Sequence, residues 1–442
     1  MNGDRKLPAR PRLEQYKKQA KDLLKAFKSG GPAAIRWVRR YHRRLPGRPD
    51  TNDRNKVSDS ALRRVKLSIA DGQFIIAREH QFENWLQFAK HIQALNQKGS
   101  LVSQFEAAVE AVITGDTMTL KRLLRENPEL IRRRSTREHR ATLLHYVGAN
   151  AVEGYRQKTP KNAVKVAEIL LKAAAEVDAD LDYGPKRKRY PERTGSTTLG
   201  LVATSCHPAA AGVQIPLLDI LLKYGASVDG ISGGWNPLIA ALHNGRGEAA
   251  AHLARRGARL DLEGAAGVGR LDVVKSFFNE DGSLKANATK AQVEAGLMWA
   301  CEYGLARVVE FFLEKGVNAG AQPHGETGLH WAAYAGHADV VKALLKGKVP
   351  VDIKDKRFGG TPLGWALYGW CERPLGANHG GYYEVVARLV AAGATVEREW
   401  LADPNRELPI PQKVRADRRM AAALRGETRS GANEEGRRKN AE

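Results

Sequence analysis

The chain has 442 residues, of which 43% are hydrophobic and 27% charged, a balance that excludes a wholly disordered protein. Lys and Arg number 71 against 49 Asp and Glu, giving a formal net charge of +22 that invites an anionic partner. Three scattered cysteines exclude a disulfide framework, no run of about 18 apolar residues marks a membrane span, and the basic N-terminus lacks the apolar stretch of a secretory signal, so a cytoplasmic location is expected.

The charge is concentrated at one end. Residues 1–100 hold 23 basic and 9 acidic residues, residues 405–442 hold 10 and 6, and the 304 residues between hold 38 and 34. In the first hundred residues, Leu13, Tyr16, Ala20, Leu23, Leu24 and Phe27 recur at helical spacing. A second helix is expected after Gly31, with Pro32 in its first turn. A third is expected from about Asp59 through Ile69 toward Arg78, and a fourth from Asn84 with Trp85, Phe88, Ile92 and Leu95 on one face. The reading is a small basic helical bundle. Arg36, Arg39, Arg40, Arg43 and Arg44 would form a nucleic-acid or acidic-partner surface, or simply a solvated face; the aromatics Trp37, Tyr41, Trp85 and Phe88 fall at core spacing.

From residue 105 onward the chain repeats itself. Residues 105–131 form a helix pair without a following loop, as an N-terminal cap would. Openings follow at ATLLHYVGAN (141–150), TTLGLVATSCH (197–207), NPLIAALHNG (236–245), AGLMWACEYG (295–304), TGLHWAAYAG (327–336) and TPLGWAL (361–367). Each is followed by a second apolar helix such as VVKALL (340–345), whose valines and leucines make one stripe. Thr327 and Thr361 are placed to cap the first helix of a unit, and Pro237 and Pro362 to start one. Ala332, Ala333 and Ala366 are small enough for close stacking, and Gly225, Gly316 and Gly393 suit positive φ at helix ends.

This pattern resembles the ankyrin repeat, a unit of about 33 residues with a turn, two antiparallel helices and a loop. The spacing of inserts at 151–162, 206–216 and 371–381, together with the segment 13–95, resembles a bacterial subgroup of ankyrin-repeat proteins. The resemblance implies an all-α solenoid of about seven units over 101–404, preceded by the helical bundle of 1–100 and followed by a helix and tail over 405–442. It implies protein–protein interaction through a concave groove. Late first-helix positions would line it: Ala149, Asn150, Thr204, Ser205, His243, Asn244, Glu302, Tyr303, Tyr334, Ala335, Tyr368 and Gly369. Turn residues Trp235, His324, Glu326, Arg357 and Phe358 would join them. Trp331 and Trp365 fall on a position that is commonly apolar core, and His145 and His330 on one that ties the turn by hydrogen bonds.

No catalytic constellation stands out: HExxH, GxSxG and the GxxxxGK[ST] phosphate loop are missing, and the twelve histidines lack metal spacing. GAAGVGR (264–270) mimics a dinucleotide loop but follows no strand pattern, and Cys206, Cys301 and Cys371 are expected to be buried apolar residues. A non-catalytic chain without cofactor or metal is therefore expected. One insert stands apart. Arg137, Glu138, His139, Arg140, Tyr155, Arg156, Lys158 and Asn162 crowd beside one repeat, although stacking needs none of them. They would hold a small anionic ligand or an acidic peptide, serve an enzyme activity, or anchor a loop.

Overall fold

The computed structural model describes residues 6–8, 10–41, 62, 65–181, 196–232, 234, 236–372, 380–402 and 409–427. Arg43, Arg44 and Trp235 lie outside them, as does the insert segment 373–379. The chain divides into two compact units, Met1–Ala258 and Arg259–Glu442. Among the described residues both are built from helices, with one isolated β-bridge between Phe278 and Leu284.

Met1–Ala258 begins with α1 (Leu13–Lys28), α2 (Pro32–Tyr41), α3 (Ile69–Glu79) and α4 (Trp85–Asn96). The helix expected from about Asp59 toward Arg78 is not continuous: Leu62 is helical, residues 65–68 are not, and α3 begins at Ile69. Ser68, itself extended, forms a reciprocal capping box with Asp71 that sets the start of α3. Asn84 caps α4 as expected, its side-chain oxygen accepting from the Gln87 N–H at 3.0 Å. Tyr16, Phe82, Phe88 and Ile92 fill one small core, and Phe27, Ile35, Val38 and Ile75 fill another. Trp37 is half-buried against both, so the aromatics of this bundle pack rather than project.

The unit continues with α5 (Leu101–Thr114), α6 (Thr117–Glu126), α7 (Ala163–Lys172), α8 (Thr198–Thr204), α9 (Cys206–Ala210), α10 (Gln214–Lys223), α11 (Pro237–His243) and α12 (Gly247–Arg255). One row of packing runs from α5 through the 3₁₀ turn Leu144–Gly148 to α8 and α11; a second runs through α6, α7, α10 and α12. The opening at 141–150 makes only that 3₁₀ turn where a full helix is expected, because Ala149 and Ala151 turn the chain with positive φ. The insert 206–216 supplies α9; its Cys206 is exposed, not buried, whereas Cys301 is buried and Cys371 half-buried.

Arg259–Glu442 contains α13 (Leu262–Gly267), α14 (Leu271–Ser276), α15 (Lys290–Glu302), α16 (Ala306–Glu314), α17 (Gly328–Ala335), α18 (Ala338–Lys346), α19 (Pro362–Glu372), α20 (Gly380–Ala391), α21 (Arg398–Ala402), α22 (Pro409–Ala416) and α23 (Arg418–Leu424). Helices α13, α15, α17 and α19 stack as one layer, and α14, α16, α18 and α20 as the other. GAAGVGR is part of this stack, with Gly264, Ala265 and Ala266 buried in α13. Ala332, Ala333 and Ala366 are fully buried at the stacking surface. Gly369 shows how tight it is: a Cβ there would lie 2.1 Å from the Tyr334 carbonyl oxygen, so only glycine allows α17 and α19 to approach. Gly225, Gly316 and Gly393 take positive φ as expected. At the C-terminal end, Val414, Met420 and Leu424 cover the last repeat, and Lys413 Nζ donates to the Trp370 and Cys371 carbonyls.

Candidate functional site

Two places gather polar or aromatic side chains beyond what stacking needs. The first is the insert of Met1–Ala258. Arg137 reaches Glu106 at 2.6 Å and Glu153 at 2.8 Å; Arg156 reaches the same two carboxylates at 2.7 and 3.0 Å. Glu106 comes from α5, Arg137 from the preceding loop, and Glu153 and Arg156 from the insert, so two cations and two anions close a ring across three segments. Arg137 and Glu153 are only 2% exposed at their side chains. Burial pushes the Glu106 carboxyl up, but Arg137 and Arg156 outweigh it and hold it at about 2; Glu153 is held low by the same balance. His139 accepts the Ala141 N–H on Nδ1, so its Nε2 carries the proton toward Glu153 at 3.5 Å. Arg156 also lies over the Tyr146 and Tyr155 rings, at 6.0 and 5.4 Å from their centroids.

This geometry answers the question that the insert poses. Arg137 and Arg156 have their charges compensated internally, so neither is available to an anion without breaking an ion pair. Arg140 is exposed and has positive φ, and Tyr155 is half-buried beside the ring. A cavity of about 460 Å³ is lined by Arg137 together with Lys90, His91, Arg134, Thr136 and Arg140 among others. Of these, sequence spacing points only to Arg137 and Arg140. Lys90 and His91 lie on α4, distant in the chain, and Arg134 is a near neighbour of Arg137 that no spacing marks.

Three histidines show how far the fold depends on neutral imidazoles. In both units, a backbone N–H donates to Nδ1 of the repeat histidine while its Nε2 donates to a carbonyl one repeat further on in the same unit. Thr142 N to His145 is 3.0 Å and His145 to Ala179 O is 2.9 Å; Thr327 N to His330 is 3.2 Å and His330 to Gly360 O is 3.1 Å. Neither ring can take a second proton without losing a bond. Burial lowers His145 to about 3, opposed by its bond to Ala179 and reinforced by Arg134 and His139. Burial also lowers His91 to about 3, with Arg137 and Arg156 adding to it and Glu106 and Glu153 opposing it. Such groups stay unprotonated in the fold but titrate near 6.5 when unfolded, so protons favour the unfolded state as pH falls. Stability of Met1–Ala258 is therefore expected to drop from about pH 6.5 downward, by at most about 1.4 kcal/mol per pH unit for each histidine. The two carboxylates add to the loss only below about pH 4.5. Urea midpoints from pH 7.5 to 4.5 check this, and a flat profile would reject it.

The second place is the turn and first-helix surface. In Met1–Ala258, His243 and Asn244 are exposed at the end of α11 as expected. Ala149 and Ser205 are buried, and Asn150 donates to Thr204 Oγ1 at 2.9 Å, so these four join repeats rather than face outward. In Arg259–Glu442, Phe358 is 71% and Tyr368 52% exposed, and Arg357 and His324 are exposed. Glu302, Tyr303, Tyr334 and Ala335 are half-buried, whereas Gly369 and Glu326 are buried. Glu326 is therefore no surface contact. Trp331 and Trp365, expected in the core, are half-buried and share the face of Tyr334. Ring centroids are 5.2 Å apart for Trp331–Trp365, 6.0 Å for Tyr334–Trp365 and 6.2 Å for Tyr334–Tyr368.

Asp355 ties this aromatic row to the turn beside it. Its carboxylate accepts from the N–H groups of Arg357, Phe358 and Gly360 at 2.8, 2.6 and 2.7 Å, and from Trp365 Nε1 at 3.1 Å. Burial would raise this carboxyl, but those donors prevail and it lies below the usual carboxylate range. The Lys356 N–H then joins the turn to the previous one through Gly325 O at 2.9 Å. No His, Cys, Asp and Glu grouping suited to a metal occurs among the described residues, and no helix there is long and apolar enough to cross a membrane.

The ankyrin repeats family model matches residues 262–357 and 297–399. No curated protein matches the chain. Among solved structures, the crystal structure of the human ASB11 ankyrin repeat domain is 19% identical, covering 66% of this chain and 99% of that one, with a TM-score of 0.32. The family match coincides with the two-layer stack of α13–α20, and the chain carries an ankyrin-repeat domain.

Proposed function

We infer that this protein is a non-catalytic interaction scaffold that binds a partner protein through the turn and first-helix face of Arg259–Glu442. The observation that supports the reading is the row of Trp331, Tyr334, Trp365 and Tyr368 beside exposed Phe358, held by a turn that Asp355 has already ordered. Aromatic side chains in a preordered frame bind with little loss of conformational freedom, which is why they dominate interface energetics. Glu302, Tyr303, His324 and Arg357 flank the row. Tyr334→Ala with Phe358→Ala is expected to weaken capture of native partners by tenfold or more, roughly the effect of losing a pair of hot-spot residues. The thermal midpoint should stay nearly unchanged. Unaltered capture by the double variant would reject the reading.

A second reading, binding of a small anion, is favoured by the cavity beside Arg137. Lys90, Arg134 and Arg140 line it with Glu83 and Glu138, and Glu138 is already paired with Arg78. A thermal-shift titration with phosphate and citrate tests it, with Lys90→Glu expected to abolish any stabilisation. For residues 1–100, exposed Arg36 and Arg40 keep an acidic or nucleic-acid partner as the alternative. A gel shift at two salt concentrations, with and without those residues, decides it.

A further inference from the structure

The turn at 351–360 separates its charges in an unusual way. Lys354, Lys356 and Arg357 are all exposed, and among the described residues no carboxylate pairs with them. The acids nearby are buried or bonded. Asp355 is 3% exposed and saturated by four donors; Glu326 is buried; Asp352 accepts from the Thr395 N–H and hydroxyl. The turn thus draws its negative charge inward and leaves a cationic tip beside the aromatic row. Arg357 covers one face of Phe358, with its guanidinium carbon 4.9 Å from the ring centroid.

The rings are also arranged against two other ligand classes. Trp331, Tyr334 and Trp365 meet edge-on with centroids 5.2–6.2 Å apart, so they touch one another and leave no box for a cation. Tyr334 and Tyr368 lie nearly parallel, with planes 23° apart, and one Phe358 face is covered. Flat faces for nucleobases are largely used up, while edges and the Phe358 rim remain for side chains.

We propose that the partner segment docking on this face is an acidic peptide with an apolar anchor: the anchor rests against Tyr334, Tyr368 and Phe358, and its carboxylates meet Lys354, Lys356 and Arg357. This rests on the protein-binding reading above and adds the chemistry of what is bound. Charge complementarity of this kind selects among partners and raises the encounter rate more than it adds affinity.

The test uses the full chain and a fluorescein-labelled peptide of about twelve residues, glutamates around a central Leu-Tyr pair, in an anisotropy titration. A twin with lysine for each glutamate and a single-stranded oligothymidine of equal length are the comparisons. The acidic peptide should bind, its affinity should fall about tenfold or more on raising salt from about 50 to about 300 mM, and the lysine twin should not bind. Because residues 1–100 are themselves basic, the deciding variant is Lys354→Glu with Lys356→Glu, two exposed side chains whose reversal is expected to leave the fold intact, with circular dichroism as the check. It should lower the affinity about tenfold or more, and Phe358→Ala should lower it as well. Acidic-peptide binding unchanged by the lysine reversals would overturn the proposal, as would an oligothymidine that binds more tightly and depends on the same lysines. Should the peptide fail while Tyr334→Ala with Phe358→Ala still abolishes native-partner capture, the docking face stands and its charge assignment falls.

Discussion

Glu153→Gln is expected to destabilise Met1–Ala258 by about 3–5 kcal/mol, the range for breaking a buried ion pair from one side. The substitution keeps the shape of the side chain and removes its charge. Arg137 and Arg156 would then share Glu106 alone, with Arg137 2% exposed at its side chain and unable to recover hydration. The loss should be local first. Hydrogen exchange should speed up in α5, in the 3₁₀ turn Leu144–Gly148 and in α7, because Glu106, Arg137 and the insert bring those segments together. Helices α15–α19 belong to the other unit, and their exchange serves as the internal reference. Unchanged protection in α5 would contradict the assignment. Replacing all four charged residues by apolar ones of similar size should cost far less than the single change, since a closed ion network contributes little net stability but punishes imbalance.

Leu344→Ala is expected to cost Arg259–Glu442 about 2–5 kcal/mol. Leu344 is fully buried on α18, which packs between α16 and α20, and its neighbours Val340 and Val341 are equally inaccessible. In a stacked array each repeat contacts only its neighbours, so a cavity in the second layer weakens the coupling on both sides. The denaturation transition should move to lower urea and broaden as the array loses cooperativity. A shift of only a few tenths of a kcal/mol would place Leu344 outside the stack.

Much of the repeat architecture was legible because stacking imposes local rules. Val340 and Val341 with Leu344, alanines at 332, 333 and 366, and glycines at 316 and 393 each satisfy a constraint set within one unit of about 33 residues. The histidine tie was legible for the same reason, since Thr327 and His330 are neighbours in a turn. Boundaries that depend on competing caps were less so: Ser68 and Asp71 start α3 afresh at Ile69, although the apolar spacing runs on through that point. Trp331 and Trp365 misled for another reason. The repeat position is usually core, but here the indole of Trp365 is drawn to Asp355 on the turn.

The uneven charge of the sequence pointed to residues 1–100 for an anionic partner, and its periodicity determined the helical, repeating fold. Which charges are free is a different matter, because it depends on partners distant in the chain. Arg137 and Arg156 look like ligand-binding cations until Glu106, 31 and 50 residues away, closes the ring with them. Lys354, Lys356 and Arg357 look like an ordinary mixed-charge turn until Asp355 folds inward among four donors. Only the tertiary structure decided which of these cations are neutralised and which are offered to solvent, since an ion pair is a property of distance in space.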